Sequence, residues 1–83
     1  MAESAEIKGQ LKKFIVDTAF VPAEKVQDET LIFVEGIFDS MGFLSLINFI
    51  EENFKIKAQD SELLEGNFES VNAITRFILS KLN

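Results

Sequence analysis

A small all-α fold, a four-helix bundle of three longer helices and one short one with a long loop between helices 1 and 2, follows from three observations. Apolar residues recur at helical spacing in three separate segments. The only alternating stretch, Lys55-Ile56-Lys57, is too short and too isolated to pair into a sheet. Apolar residues make up 47% of the 83, and nine of them are Phe, which is enough bulk for a compact helical core and too much for a disordered tail. The length fits one domain, residues 1–83, near the lower limit at which a single core holds a chain folded.

Each element has its own signal. The first helix is expected from Ala5 to about Thr18, with Ile7, Leu11, Phe14 and Ile15 on its apolar face and Ser4 as N-cap. Pro22 disfavours helical geometry at Val21, so the chain leaves the helix between Ala19 and Val21 and enters the charged stretch "AEKVQDET". Leu31, Ile32 and Phe33 are too apolar for a solvated loop, and at least two of them are expected to pack back under the helices. Gly36 marks a turn. The second helix is expected from about Ser40 to Asn53 with Asp39 or Ser40 at its N-cap. Leu46, Ile50 and Phe54 form its core stripe, Phe43 and Ile47 widen it, and Met41 and Leu44 lie to one side. A short helical turn around Ser61 to Glu65, closed by Gly66-Asn67, precedes a last helix capped by Ser70. Val71, Ile74, Phe77, Ile78 and Leu82 repeat at helical spacing along it.

Composition removes whole classes of function. The chain has no Cys and no His, which excludes disulfides, a structural zinc site and any triad built on those residues. Nothing sets two carboxylates in an apolar pocket, so no catalytic residue is assigned and an enzyme is not expected. The acidic stretch "DSELLEGNFE" places Glu65 where a calcium loop needs its glycine, and the four glycines are too scattered for a phosphate loop. No metal ligand is assigned. Lys and Arg total 8 against 14 Asp and Glu, and the net charge of −6 disfavours nucleic acid. The longest nearly uninterrupted apolar run, Phe43 to Ile50, falls well short of the ~20 residues that span a bilayer, and the N-terminus lacks a basic region followed by an apolar block. A cytoplasmic monomer with no membrane partner is the expectation.

One segment carries chemistry. An Asp-Ser pair at a helix start ordinarily satisfies free N–H groups of the first turn. Here it follows a Gly turn and apolar residues, heads an amphipathic helix ending in two Glu and a Phe, and sits in an acidic helical chain. The segment "GIFDSMGFLSLINFIEENFKI" resembles the attachment-site region of acyl carrier and peptidyl carrier proteins, where G-x-[apolar]-D-S-[LM] precedes the second helix and E-E-x-F-x-I closes it. "DETLIF" is similar to the family's loop before the site and "NFESVNAITRFI" to the opening of its last helix, so the resemblance covers about Asp28 to Ile78.

The resemblance implies that Ser40 accepts 4'-phosphopantetheine from coenzyme A through a separate phosphopantetheinyl transferase, with Asp39 helping to seat the magnesium ion or the transferase. The arm's thiol would then hold acyl or aminoacyl groups as thioesters, loaded by a ligase and presented to synthase or transferase enzymes with basic docking surfaces. Fatty-acid, polyketide, nonribosomal peptide or related biosynthesis would be the setting. Phe43, Leu46, Ile47 and Ile50 would line an acyl cavity, Met41 and Leu44 would form an apolar patch beside the arm, and Glu51 and Glu52 would meet partner Arg and Lys.

Two departures qualify the match. Many fatty-acid carriers have acidic residues where this chain has Gly42 and Ser45, and Met41, Phe43 and Phe49 are more similar to stand-alone carriers serving a ligase, a polyketide or peptide pathway, or aminoacyl transfer. Gly42 costs about 1 kcal/mol against Ala within a helix, and a small residue there is expected to let a partner approach the arm. The alternative reading is a non-catalytic helical adaptor, or an inactive carrier homologue, binding partners through the apolar side of the second helix.

Overall fold

The three apolar stripes converge on one core. The computed structural model describes the backbone of residues 2–82, with the side chains of residues 4–64 and 66–82. Among them four helices form: α1 (Ala2–Ala19), α2 (Ser40–Phe54), α3 (Glu65–Phe68) and α4 (Val71–Leu82), with 3-10 turns at Ala23–Lys25 and Asp60–Glu62. No strand occurs among the described residues. Leu11 and Ile15 of α1, Leu46 and Ile50 of α2, Phe68 of α3, and Val71, Ile74 and Ile78 of α4 are fully buried in a single cluster.

Helix α1 begins before Ser4, so Ser4 is a first-turn residue and not the N-cap expected. The preceding Ala2 and Glu3 are good helix formers, which lets helical geometry extend past it. The helix ends where Pro22 requires, with Phe20 in the left-handed region (φ 58°) and its N–H donating to the Val16 carbonyl at 3.0 Å.

The long connection is stitched to the bundle by backbone hydrogen bonds: Ile32 N–H to the Glu69 carbonyl at 2.9 Å, Phe38 N–H to the Ile32 carbonyl at 3.0 Å, and Asn72 N–H to the Asp28 carbonyl at 2.9 Å. Two of the three apolar residues turn inward, Ile32 fully and Phe33 in part, while Leu31 stays exposed. The Asp28 carboxylate lies 2.6 Å from Lys12 Nζ and 3.5 Å from Lys8 Nζ, fastening the loop to α1. The hydrogen bond and charge of Lys12, helped by Lys8, hold the Asp28 carboxyl below its ordinary value against the opposing effect of desolvation.

The segment after α2 departs from expectation in two places. Gly66-Asn67 lies inside α3 and does not close a helix. Phe68 is fully buried, which keeps the chain helical up to it, and Asn67 Nδ2 donates to the Glu62 carbonyl at 2.8 Å, closing the preceding turn instead. Glu62 also accepts from Gln59 N–H and pairs with Lys81 Nζ of α4 at 2.8 Å, so the turn is tied to the last helix. Ser70 caps α4 as expected, its Oγ accepting from Ala73 N–H at 3.2 Å. Leu82 is half exposed, so the buried stripe of α4 stops at Ile78.

Eight of the nine Phe residues form a continuous path of ring contacts. It runs Phe54, Phe49, Phe14, Phe38, Phe33, Phe43, Phe68, Phe77, with neighbouring centroids between 4.3 and 6.3 Å apart. Phe20 stands outside the path and is 92% exposed. At the centre, a Cβ on residue 42 would lie 2.7 Å from Phe38 Cγ and 2.8 Å from Cδ1. Gly42 therefore makes room for the chain's own Phe38 ring.

Two outcomes follow. Gly42→Ala loses about 1–3 kcal/mol by overpacking, in spite of alanine's better helix propensity, and denaturant titration measures the loss. Because the Asp28 carboxyl is lowered in the folded state, its contribution is present above the ordinary value of 3.8 and is lost as pH falls below it. Asp28→Asn accordingly flattens the acid limb of a plot of stability against pH without steepening it elsewhere.

Candidate functional site

The start of α2 is set by the residue before it. Asp39 is extended (φ −111°), and its Oδ1 accepts from Gly42 N–H at 3.0 Å while its carbonyl accepts from Phe43 N–H at 2.9 Å. Asp39 is the N-cap. Ser40, the first helical residue, is exposed, and its hydroxyl has no partner among the described hydrogen bonds. Nor do the Ser40 and Met41 N–H groups or Asp39 Oδ2 find one. A helix N-terminus with open N–H groups favours an anion, and the open carboxylate oxygen beside it suits a cation brought by a partner.

Two clefts flank this point and share Phe38 and Asp39 as a common wall. The first, about 470 Å³, is lined by Phe33, Val34, Phe38, Phe43 and Leu63, with Asp39 and Ser40 as its polar part. The second, about 310 Å³, lies between the end of α1, the Gly36 turn and the first turns of α2, with Met41, Gly42 and Ser45 in its lining. Gly36 holds that turn at φ 78°, a conformation favoured by glycine.

The residues singled out from sequence divide by location. Ser40 and Asp39 lie together between the clefts, and Met41 (70%) and Leu44 (57%) are exposed apolar side chains nearby on α2. Glu52 is exposed at the far end of the helix. Glu51 has an internal task, its Oε2 accepting from Ala58 N–H at 2.9 Å, which closes the turn after α2 and takes up part of the charge expected to face a partner. Of the four acyl-cavity residues, Phe43 lines the first cleft. Leu46 and Ile50 are fully buried and Ile47 is half buried, and none of the three lines either cleft. Sequence reasoning missed Phe33, Val34, Phe38 and Leu63 as cleft walls. The available signal was the density of apolar residues immediately before Asp39-Ser40.

Between Lys25 and Lys55 the sequence holds no Lys or Arg, so every charge in the stretch carrying Ser40 is acidic. Among the described residues, no helix is long and apolar enough to cross a membrane and no three acidic side chains gather into a metal-binding group. No protein-family model matches the chain, and no curated protein matches it.

Asp39 and Ser40 should separate cleanly under mutation. Asp39→Ala removes the cap and costs about 1 kcal/mol, whereas Ser40→Ala stays within about 0.5 kcal/mol of the native stability, as chemical denaturation of both variants will show.

Proposed function

We propose that the chain is a carrier whose Ser40 bears 4'-phosphopantetheine. The observation that carries this reading is a division of labour: Asp39 caps the helix, which leaves the Ser40 hydroxyl exposed and without a partner among the described residues. The residues present fit the group. The Ser40 and Met41 N–H groups and the positive end of α2 favour a phosphodiester on Ser40 Oγ, and no acidic side chain occupies the first helical turn. Attachment forms a bond from Ser40 Oγ to the pantetheine-side phosphorus of coenzyme A, with loss of the hydroxyl proton and departure of adenosine bisphosphate. When bound, the arm supplies a thiol that holds acyl or aminoacyl groups as thioesters.

The chain's own residues then position and present that arm. Met41 and Leu44 offer apolar contact beside it, and Met adapts to more than one partner surface. Glu52 and the other acids of the Lys-free stretch attract the basic docking surface of a transferase, ligase or synthase and raise the encounter rate. The function is transport, with catalysis left to those partners.

Intact mass before and after incubation with coenzyme A, magnesium and a broad-specificity phosphopantetheinyl transferase tests the reading. The native chain gains one phosphopantetheine unit and Ser40→Ala gains none. A folded native chain, shown to lack the arm beforehand, that gains nothing would return Ser40 to a surface hydroxyl and favour the adaptor reading.

A further inference from the structure

We infer that the cleft beside Ser40 is the seat of an uncharged aromatic acyl group, folded back from the end of the arm onto Phe33 and Phe43. The inference rests on the carrier reading above and adds the class of cargo.

The first step is location. Ser40 itself belongs to the lining of the 470 Å³ cleft, so a group tethered to its Oγ is held next to that surface at high effective concentration. A modest intrinsic affinity is then sufficient. The second step is which part of the tethered group enters. The arm contains two amides, and the described side chains lining the cleft are apolar apart from Asp39 and Ser40. Burying the amides there would leave them without hydrogen-bond partners, so they stay in water and the apolar terminal group takes the cleft.

The third step is chemical class. A charged aminoacyl group would set its ammonium among the apolar side chains of Phe33, Val34, Phe38, Phe43 and Leu63, which replace none of the water it gives up, with Asp39 the acidic side chain among the described lining residues. A long straight alkyl chain needs depth, and directly behind the Phe43 wall stands the fully buried Phe68 ring. What the cleft presents instead is rings. Phe33 and Phe43 stand edge to face with centroids 5.7 Å apart, Phe38 lies 6.3 Å from Phe33, and Phe43 meets Phe68 at 5.5 Å. A further aromatic ring continues that pattern and gains edge-to-face contact beyond what its buried area gives.

The test loads Ser40 through the transferase from cinnamoyl-, octanoyl- and alanyl-coenzyme A. Thioester cleavage by hydroxylamine is then timed against the matching free pantetheine thioester. The cinnamoyl form is expected to be protected by about 2- to 10-fold and the other two by less than twofold. Val34→Asp places a charge in the lining at a side chain that is 71% exposed, so the fold is retained while the protection is lost. Phe43→Ala should lose it too, with circular dichroism checking that variant's fold. Equal cleavage of all three loaded forms, or stronger protection of octanoyl or alanyl, overturns the cargo assignment and leaves the carrier reading standing. Failure to load any of them, judged by intact mass, overturns both.

Discussion

The packing of Phe38 on Gly42 fixes the end of the molecule that carries Asp39 and Ser40. The ring occupies the space a Cβ would take on α2, and it lies against Phe14 from α1 and Phe33 from the loop, with centroids 6.2 and 6.3 Å away. Its backbone N–H is bound to the Ile32 carbonyl, and Ile32 N–H is bound in turn to Glu69 just before α4. One residue thus links α1, the long loop, α2 and the approach to α4. Asp39 and Ser40 are the next two residues, so the cap and the exposed hydroxyl inherit their positions from a side chain that cannot move without opening the core. Close-packed interiors transmit such a constraint because their side chains have few alternative arrangements.

The loop that delivers Phe38 would be a weak support if it depended on apolar contact alone. It is instead held at intervals: Asp28 by Lys12 and Lys8 of α1, the Asp28 carbonyl by Asn72 of α4, and Val26, Ile32 and Phe38 by burial. The ion pairs are half exposed and contribute modestly individually. Their importance is positional, since they fasten the middle of the connection to α1 while the backbone bonds fasten it to α4. The segment after α2 follows the same logic, with Glu51 closing the turn at Ala58 and Glu62 tying the 3-10 turn to Lys81. Leu63, next in the chain, is thereby held as a wall of the larger cleft.

The long helices were legible because periodicity reports burial directly. Spacing alone places Leu11, Ile15, Leu46, Ile50, Ile74 and Ile78 inward, and all are fully buried. The errors came where a local signal competed with tertiary packing. Ser4 looks like a cap, but nothing stops the helix before it; Gly66-Asn67 looks like a terminator, but burial of Phe68 carries the helix through. The Gly42 penalty was legible and its reason was not, because the compensating ring lies four residues upstream in a segment with no regular period. The clefts were illegible for the same reason. Their walls join loop residues to helix residues, and sequence spacing within one element cannot show which side chains of another will face it.

Ser40 and Met41 are adjacent, yet Ser40 lines the larger cleft and Met41 the smaller one across the Phe38 and Asp39 wall. The cause is helical geometry, since consecutive residues project about 100° apart around the axis. On the proposed reading this separates two tasks that would otherwise compete. A cargo resting against Phe33 and Phe43 stays on the Ser40 side, while a partner contacting Met41 approaches from the other. Docking then need not displace the cargo at first encounter, and release becomes a second step, governed by how strongly the partner's own site draws the acyl group out of the aromatic cleft.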